Sequence, residues 1–248
     1  MTSIKRTFVK TVMLAFALAG PAFAPAFAQD GNGAEILQSG NDNKTSVTQK
    51  GDRNEASVSL YGNSNGQTDG TITQEGDGAY AEIYIEGDDN NFTVQQDTAS
   101  AFYGAVYGDA NTLTVDQVNA YSEAYQNYGA ALQTGYGNTA TLEQQVEAYG
   151  ESGGLNQAFI TQNGNDNTAL LEQTGTDNIA EISQDGNGNS GTLIQNGVGL
   201  SAALNQVGNN LPGYTITQDC IASAACNQDI TVNQTNAASG FLVPSAGS

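Results

Sequence analysis

The sequence predicts an all-β protein, a β-solenoid of stacked two-strand coils with about 22 residues per coil, each coil running strand, turn, strand. Three observations lead there: a phrase recurs every eleven residues, a glycine follows two residues after its glutamine, and small or branched apolar residues alternate with polar ones between these marks. The interval is strict at Gln162, Gln173, Gln184, Gln195 and Gln206, with Gly164, Gly175, Gly186, Gly197 and Gly208 behind them. Asn167, Asn178 and Asn189 stand three residues beyond the first three glycines. So short a unit cannot bury its own apolar face and must stack on copies of itself.

In chain order, residues 1–28 belong to targeting. Lys5, Arg6 and Lys10 flank an apolar run, Thr11 to Ala19, too short to span a bilayer, and small-residue sites follow at Ala22-Phe23-Ala24 and Ala26-Phe27-Ala28. This reads as a secretory signal peptide cut between Ala28 and Gln29, because cutting after Ala24 would leave Pro25 at the new end. Residues 29–33 form a short N-terminal segment. No later stretch is long and apolar enough to form a transmembrane segment, so a secreted, extracellular chain is expected.

The repeat region spans residues 34–234, with about seventeen copies. It opens with Gln38, Gly40 and Asn43, then Gln49, Gly51 and Asn54; a third copy has Leu60 in the glutamine position before Gly62 and Asn65. Looser copies follow at Gln74, Gly87 and Gly108, then Gln133 with Gly135 and Asn138, and Gln144; Gln218 and Gln234 close the series. Insertions fall near Asn65 to Asp69, Val118 to Gln126, Gln145 to Gly153 and Cys220 to Asn227.

An eleven-residue period can also describe a right-handed helical supercoil. Glycine, asparagine and β-branched residues in every unit exclude that, since all are poor in helix interiors. As a strand, Asn167, Ala169, Leu171 and Gln173 point one way and Thr168, Leu170 and Glu172 the other, with Gly175-Thr176-Asp177 as the turn. Stacked at roughly 4.8 Å per coil, eight or nine coils make a body about 40 Å long. The glutamines and asparagines then need partners, because an unpaired buried amide is costly. Identical amides at strand spacing can bond up and down a ladder, and the column through Gln38, Gln49, Gln162, Gln173, Gln184, Gln195 and Gln206 fits that role, divided between two strand columns.

The phrase blurs over residues 97–132, within a stretch, Tyr80 to Tyr149, that holds nine of the eleven tyrosines. Tyr121, Tyr125, Tyr128 and Leu132 have helical spacing, which leaves a local helix or loop open; otherwise the tyrosines are expected to pair across strands on the outer face, with an adhesive patch as the alternative. Cys220 and Cys226 are expected to close a small disulfide loop partly covering the C-terminal end, an intermolecular bridge being the alternative. Residues 235–248 form a tail that includes Phe241-Leu242-Val243-Pro244.

Beyond the first 28 residues, three basic residues (Lys44, Lys50, Arg53) face 26 acids, a formal net charge of −23 that disfavours nucleic acid as a partner. The chain has no histidine, the commonest general base and metal ligand, and near-identical coils offer no cleft of unlike side chains, so no catalytic residue, metal site or cofactor is expected. Turns such as Gly87-Asp88-Asp89-Asn90 could hold a hard cation, but no calcium-repeat or EF-hand spacing is present. Ice binding would need a regular outward threonine row; Thr48, Thr73, Thr161 and Thr217 share a position that Glu172 and Ser183 interrupt.

The repeat resembles that of the curlin family, the subunits of bacterial curli fibres, whose phrase is Gln-x-Gly-x-x-Asn-x-Ala ending in another Gln. Gln162, Gly164, Asn167, Ala169, Gln173, Gly175, Asn178, Ala180 and Gln184 fall on those positions. The resemblance implies a secreted functional amyloid polymerising outside the cell into biofilm-matrix fibres, with adhesion and cell aggregation as the outcome. It also implies a related curlin subunit or nucleator as partner, and export through a dedicated outer-membrane channel with accessory proteins. Relative to that family the chain has room for more coils, and the glycine-rich N-terminal export segment is reduced to Gln29 to Gly33.

Polymerisation also follows from physics. A solenoid ends in strands with unpaired backbone groups, the few residues before Ala34 are too short for a cap, and heterologous stacking that does not close makes filaments. The many acids, Glu143, Glu172 and Glu181 among them, are expected to slow assembly, more so at low salt. The alternative is a monomeric extracellular β-solenoid binding calcium, ice or a surface ligand.

Overall fold

The computed structural model describes residues 31–119, 126–146, 155–220 and 228–236, together with the backbone of 245–246. The expected signal peptide, its cleavage site at Ala28–Gln29, Tyr121, Tyr125 and Cys226 lie outside these residues.

The expected β-solenoid is the fold. Strands follow one another as β1 (Gly33–Ser39), β2 (Ser46–Lys50), β3 (Glu55–Tyr61), β4 (Gly70–Glu75), β5 (Tyr80–Glu86), β6 (Asn91–Gln96), β7 (Ala101–Tyr107), β8 (Thr112–Asn119) and β9 (Gln126–Thr134). The series continues with β10 (Thr139–Val146), β11 (Leu155–Asn163), β12 (Thr168–Thr176), β13 (Ile179–Asp185), β14 (Ser190–Val198), β15 (Ser201–Val207), β16 (Tyr214–Asp219), β17 (Asp229–Thr235) and the two-residue β18 (Ser245–Ala246). Odd-numbered strands β1 to β17 stack in chain order in one sheet, with β18 added beyond β17; even-numbered strands β2 to β16 form the other. Every pairing between solenoid strands is parallel, and β18 alone runs antiparallel, on β17.

Register is set by the repeat. Ala140, Leu142 and Gln144 stand opposite Ala169, Leu171 and Gln173, and Ala158, Ile160 and Gln162 opposite Ala180, Ile182 and Gln184. A one-residue slip would turn each inward set out to solvent. The two inward faces meet as a thin core in which Val58, Ile83, Leu142, Ile160, Leu171, Ile182, Leu193 and Leu204 are buried. Phe92 and Phe102 are the largest fully buried side chains among the described residues, and glycines make room for Phe102. Phe102 lies opposite Gly129 in the next coil, where a Cβ would come within 3.0 Å of its ring; a Cβ on Gly104 would come within 2.9 Å.

The tyrosine-rich stretch is more regular than its sequence. β7, β8 and β9 keep the register of their neighbours, and Tyr128 and Leu132 are outward residues of β9, not part of a helix. Residues four apart share a face in a strand as well as in a helix, which is why the spacing was ambiguous. The first coil also begins slightly earlier than Ala34: β1 starts at Gly33, and the Asn32 side chain accepts the Asn54 N–H at 2.8 Å.

Coils approach closely at the corners. Gly164 has φ +118°, and a Cβ there would overlap the Gly186 carbonyl oxygen one coil on; Gly186 stands in the same relation to Gly208. Gly78 has φ +75° but open space around it. Gly164→Ala is therefore expected to cost at least about 2 kcal/mol, from left-handed strain plus overlap, and Gly78→Ala only the strain, about 1 kcal/mol. Thermal unfolding of the two variants side by side measures the difference.

Candidate functional site

The residues that decide what this molecule can do are its repeated amides, its end strands and its two outer faces. In the even-numbered sheet the Nε2 of each glutamine donates to the Oε1 of the next through Gln49, Gln74, Gln96, Gln117, Gln144, Gln173, Gln195 and Gln218, at 2.7–3.0 Å. In the odd-numbered sheet the same chain runs through Gln133, Gln162, Gln184, Gln206 and Gln234 at 2.6–3.0 Å. Each amide also reaches the backbone across the coil, as Gln173 does to the Gln157 carbonyl at 2.9 Å.

Gln38 stands apart from the column in which the sequence places it. It lies opposite Leu60, and the rungs above carry Ile85 and Val106. The amide ladder of this sheet therefore begins at Gln133, whose Oε1 faces Val106 and accepts no hydrogen bond.

Asparagines staple the corners. Asn43, Asn65, Asn90, Asn111, Asn138 and Asn167 each accept, through Oδ1, the backbone N–H of the next member, up to Asn189. Each also donates through Nδ2 to a corner glycine carbonyl: Asn43 to Gly62, Asn138 to Gly164, Asn167 to Gly186 and Asn189 to Gly208, all at 2.7 Å. On the opposite edge Asn54 reaches Gly76 and Asn178 reaches Gly197, at 2.8 and 2.9 Å. The corner glycines Gly40, Gly51, Gly62, Gly135, Gly164, Gly175, Gly186, Gly197 and Gly208 all have φ between +107° and +146°.

Sequence spacing alone left Gln74, Gln96, Gln117, Gln218, Gln234, Asn65, Asn90, Asn111, Asn127 and Asn156 out of the ladder. Insertions stretch the step between partners to as much as 29 residues, as from Asn138 to Asn167, so a strict interval misses them. Counting by coil rather than by residue would have found them.

Among the described residues, β1 pairs only with β3 and β2 only with β4 at one end, and β16 only with β14 at the other. The outer edge of β17 carries β18 against Ile230 and Thr231. The last two corners differ from the rest: Cys220 and Asn236 occupy the glycine position against Gly197 and Gly208, and neither has a positive φ. Cys220 is disulfide-bonded.

The outer faces are unlike. On the odd-numbered sheet Tyr61, Tyr84 and Tyr107 form one zigzag of rings, and Tyr80, Tyr103, Tyr128 and Phe159 a second, with centroids 5.2–5.8 Å apart. The Tyr80 hydroxyl donates to Glu82 at 2.9 Å; partial burial and this carboxylate push its pKa up to about 12. On the even-numbered sheet Thr71, Thr93, Thr114 and Thr141 stack in register, and after Leu170 the column resumes with Thr192 and Thr215. The sequence reading missed this column because it followed the position one residue before the glutamine, through Thr48, Thr73 and Thr217, whereas the column lies three residues before it; Thr161 belongs to the other sheet. Beside the threonines, Asp116, Glu143 and Glu172 follow one another on adjacent strands along one wall of a shallow cleft. Burial raises the pKa of Asp116, and burial together with the Glu172 and Asp116 charges raises that of Glu143.

Residues 40–66, 69–97 and 152–175 match the curlin associated repeat. The chain carries the curlin associated repeat at three places. Comparisons with curated proteins and with solved structures found no match. The matched segments cover β2 to β6, and β11 with nearly all of β12, so the family phrase coincides with the ladder and staple positions at both places. The curlin family is one of structural proteins, and its repeat and the solenoid fold suit a structural subunit.

Two outcomes follow for this curlin-repeat chain. Gln173→Ala removes the acceptor of Gln144 and the donor to Gln195 and opens a cavity, so a loss of about 2–4 kcal/mol in chemical denaturation is expected. For Asp116 and Glu143 the folded-state pKa values lie above the unfolded ones, so at these two groups the folded state binds more protons and stability rises as pH falls from neutral through the raised values. Glu143→Gln should accordingly raise stability at pH 7 by about 0.5 kcal/mol and flatten the rise towards acid, as read from melting temperature against pH.

Proposed function

We propose that this chain is an exported structural subunit that polymerises end to end into extracellular, curli-like amyloid fibres of a biofilm matrix, supporting adhesion and cell aggregation. The observation that carries this reading is the state of the solenoid ends. The strands β1, β2 and β16 each present one unpaired backbone edge among the described residues, with repeated inward amides ready to accept another rung. Open strand edges pair with other chains unless they are blunted, and a contact between copies would repeat the contact within one. The first and last rungs differ, so the contact is heterologous and leads to filaments.

The partner is therefore another copy of this chain, with a related curlin subunit or nucleator and a curli-type outer-membrane channel as the accompanying machinery. The acidic, ring-bearing outer surface leaves nucleic acid out of this reading and offers aromatic patches for adhesion.

Incubation of the protein lacking residues 1–28 should give fibres by electron microscopy and a meridional reflection near 4.7–4.8 Å. A chain that stays monomeric at high concentration with no such reflection would rule the proposal out. Because β18 covers part of the β17 edge, removal of residues 237–248 should shorten the nucleation lag several-fold in a fibre-growth assay.

A further inference from the structure

The number of rungs constrains how one copy can sit on the next. Among the described residues seventeen solenoid strands alternate between the two sheets, so β1 and β17 both lie in the odd-numbered sheet and the body is a whole number of coils plus a half. Two end-to-end arrangements keep the strands parallel. In the first, the next copy has the same rotation about the axis, and its β1 stacks on β17. Then β16 and the next copy's β2 face each other across an empty rung, about 9.6 Å at twice the strand spacing. Both edges remain unpaired in the middle of a fibre. The ladder that passes from Gln195 to Gln218 stops there, and the one ending at Gln234 gains only the next copy's Gln38 before Leu60 ends it.

In the second arrangement the next copy is turned by half a revolution. Its β1 then stacks on β16 and its β2 on β17, and no rung is missing: Gln234 faces the next Gln49 and so joins that copy's long even-sheet ladder, while Gln218 faces the next Gln38, beyond which Leu60 ends the column. The inward residues are compatible with this exchange of sheets. Ile216 and Gln218 of β16 occupy the ladder register that Ile36 and Gln38 occupy in β1, and Val232 and Gln234 of β17 match Val47 and Gln49 of β2. The strand β18 must leave in either arrangement, so it does not discriminate between them.

We propose that successive copies in the fibre are related by a half-turn about the fibre axis, each copy's odd-numbered sheet continuing as the even-numbered sheet of the next. This rests on the end-to-end reading above. Unfilled backbone edges and an amide ladder cut off at the junction are the kind of buried polar deficit that proteins avoid; the half-turn pairs those edges and carries the Gln234 ladder into the next copy through Gln49. One consequence is that the tyrosine face of each copy alternates between opposite sides of the fibre. The axial repeat then spans two molecules, about 82 Å, instead of one molecule.

The test uses outward residues that only one arrangement brings together. With the half-turn, Leu37 of one copy lies beside Thr217 of its neighbour; without it, Leu37 lies beside Asn233. All three are exposed. Adjacent-strand positions fall within the Cα separation a disulfide accepts, whereas positions on opposite sheets have the core between them. Fibres of a Leu37→Cys, Thr217→Cys variant should oxidise to a ladder of covalent oligomers on a denaturing gel, and fibres of a Leu37→Cys, Asn233→Cys variant should run as monomer. The reverse pattern, or cross-linking in neither, overturns the half-turn while the fibres themselves preserve the polymer reading. Failure of the unmodified chain to form fibres overturns both.

Discussion

A buried carboxamide has two N–H donors and an acceptor to satisfy, and in this molecule the spacing between parallel strands satisfies them. Stacking at about 4.8 Å brings the Nε2 of one glutamine onto the Oε1 of the next, and the remaining donor finds a backbone carbonyl across the coil. Shifting one strand by a residue would leave its amide without a partner and put its apolar residues in water. The ladder therefore enforces register, and register in turn lines up Ala with Ala and Leu with Leu along the axis. The core, though thin, is continuous because the amides hold it in step.

The corners follow from the same constraint. For the strands to keep their spacing, the turns must also stack, and there the backbone of one coil lies against the carbonyl of the next with no room for a Cβ. Glycine is required by contact as well as by conformation. Asparagine completes the turn by bonding both the next N–H and the glycine carbonyl, so that a tight corner leaves few unsatisfied groups. Where the glycine position passes to Cys220 and Asn236, the stack of corners comes to its end.

Because the inward positions carry the fold, the outward ones are free to differ. One face holds zigzags of tyrosine rings, the other a threonine column beside three stacked carboxylates. Like charges at strand spacing oppose the stack, and the shared field in the cleft raises the affinity of Glu143 for a proton. An acidic exterior around a self-complementary interior sets charge repulsion against stacking, which would make pH and salt the controls on the proposed assembly.

Strand period, coil length, corner glycines and the inward amides could be read from residues 162–206 alone, because there the interval is unbroken and each unit repeats the same physical requirements. Even Gln38, which matches the phrase, was misplaced by that reading, since a ladder depends on the residue one coil away and Leu60 stands there. The tertiary structure alone decided the rest. It carried the register through insertions, so that Gln117 meets Gln144 and Gln133 meets Gln162 over steps of 27 and 29 residues. It matched Phe102 to the missing side chain of Gly129. It also divided the solenoid strands of the described residues nine to eight between the sheets, leaving the half-coil on which the proposed stacking of copies rests. Periodicity encodes what each rung needs from an identical neighbour; partners separated by variable loops, and the parity of the whole stack, exist only once the chain has closed around its axis.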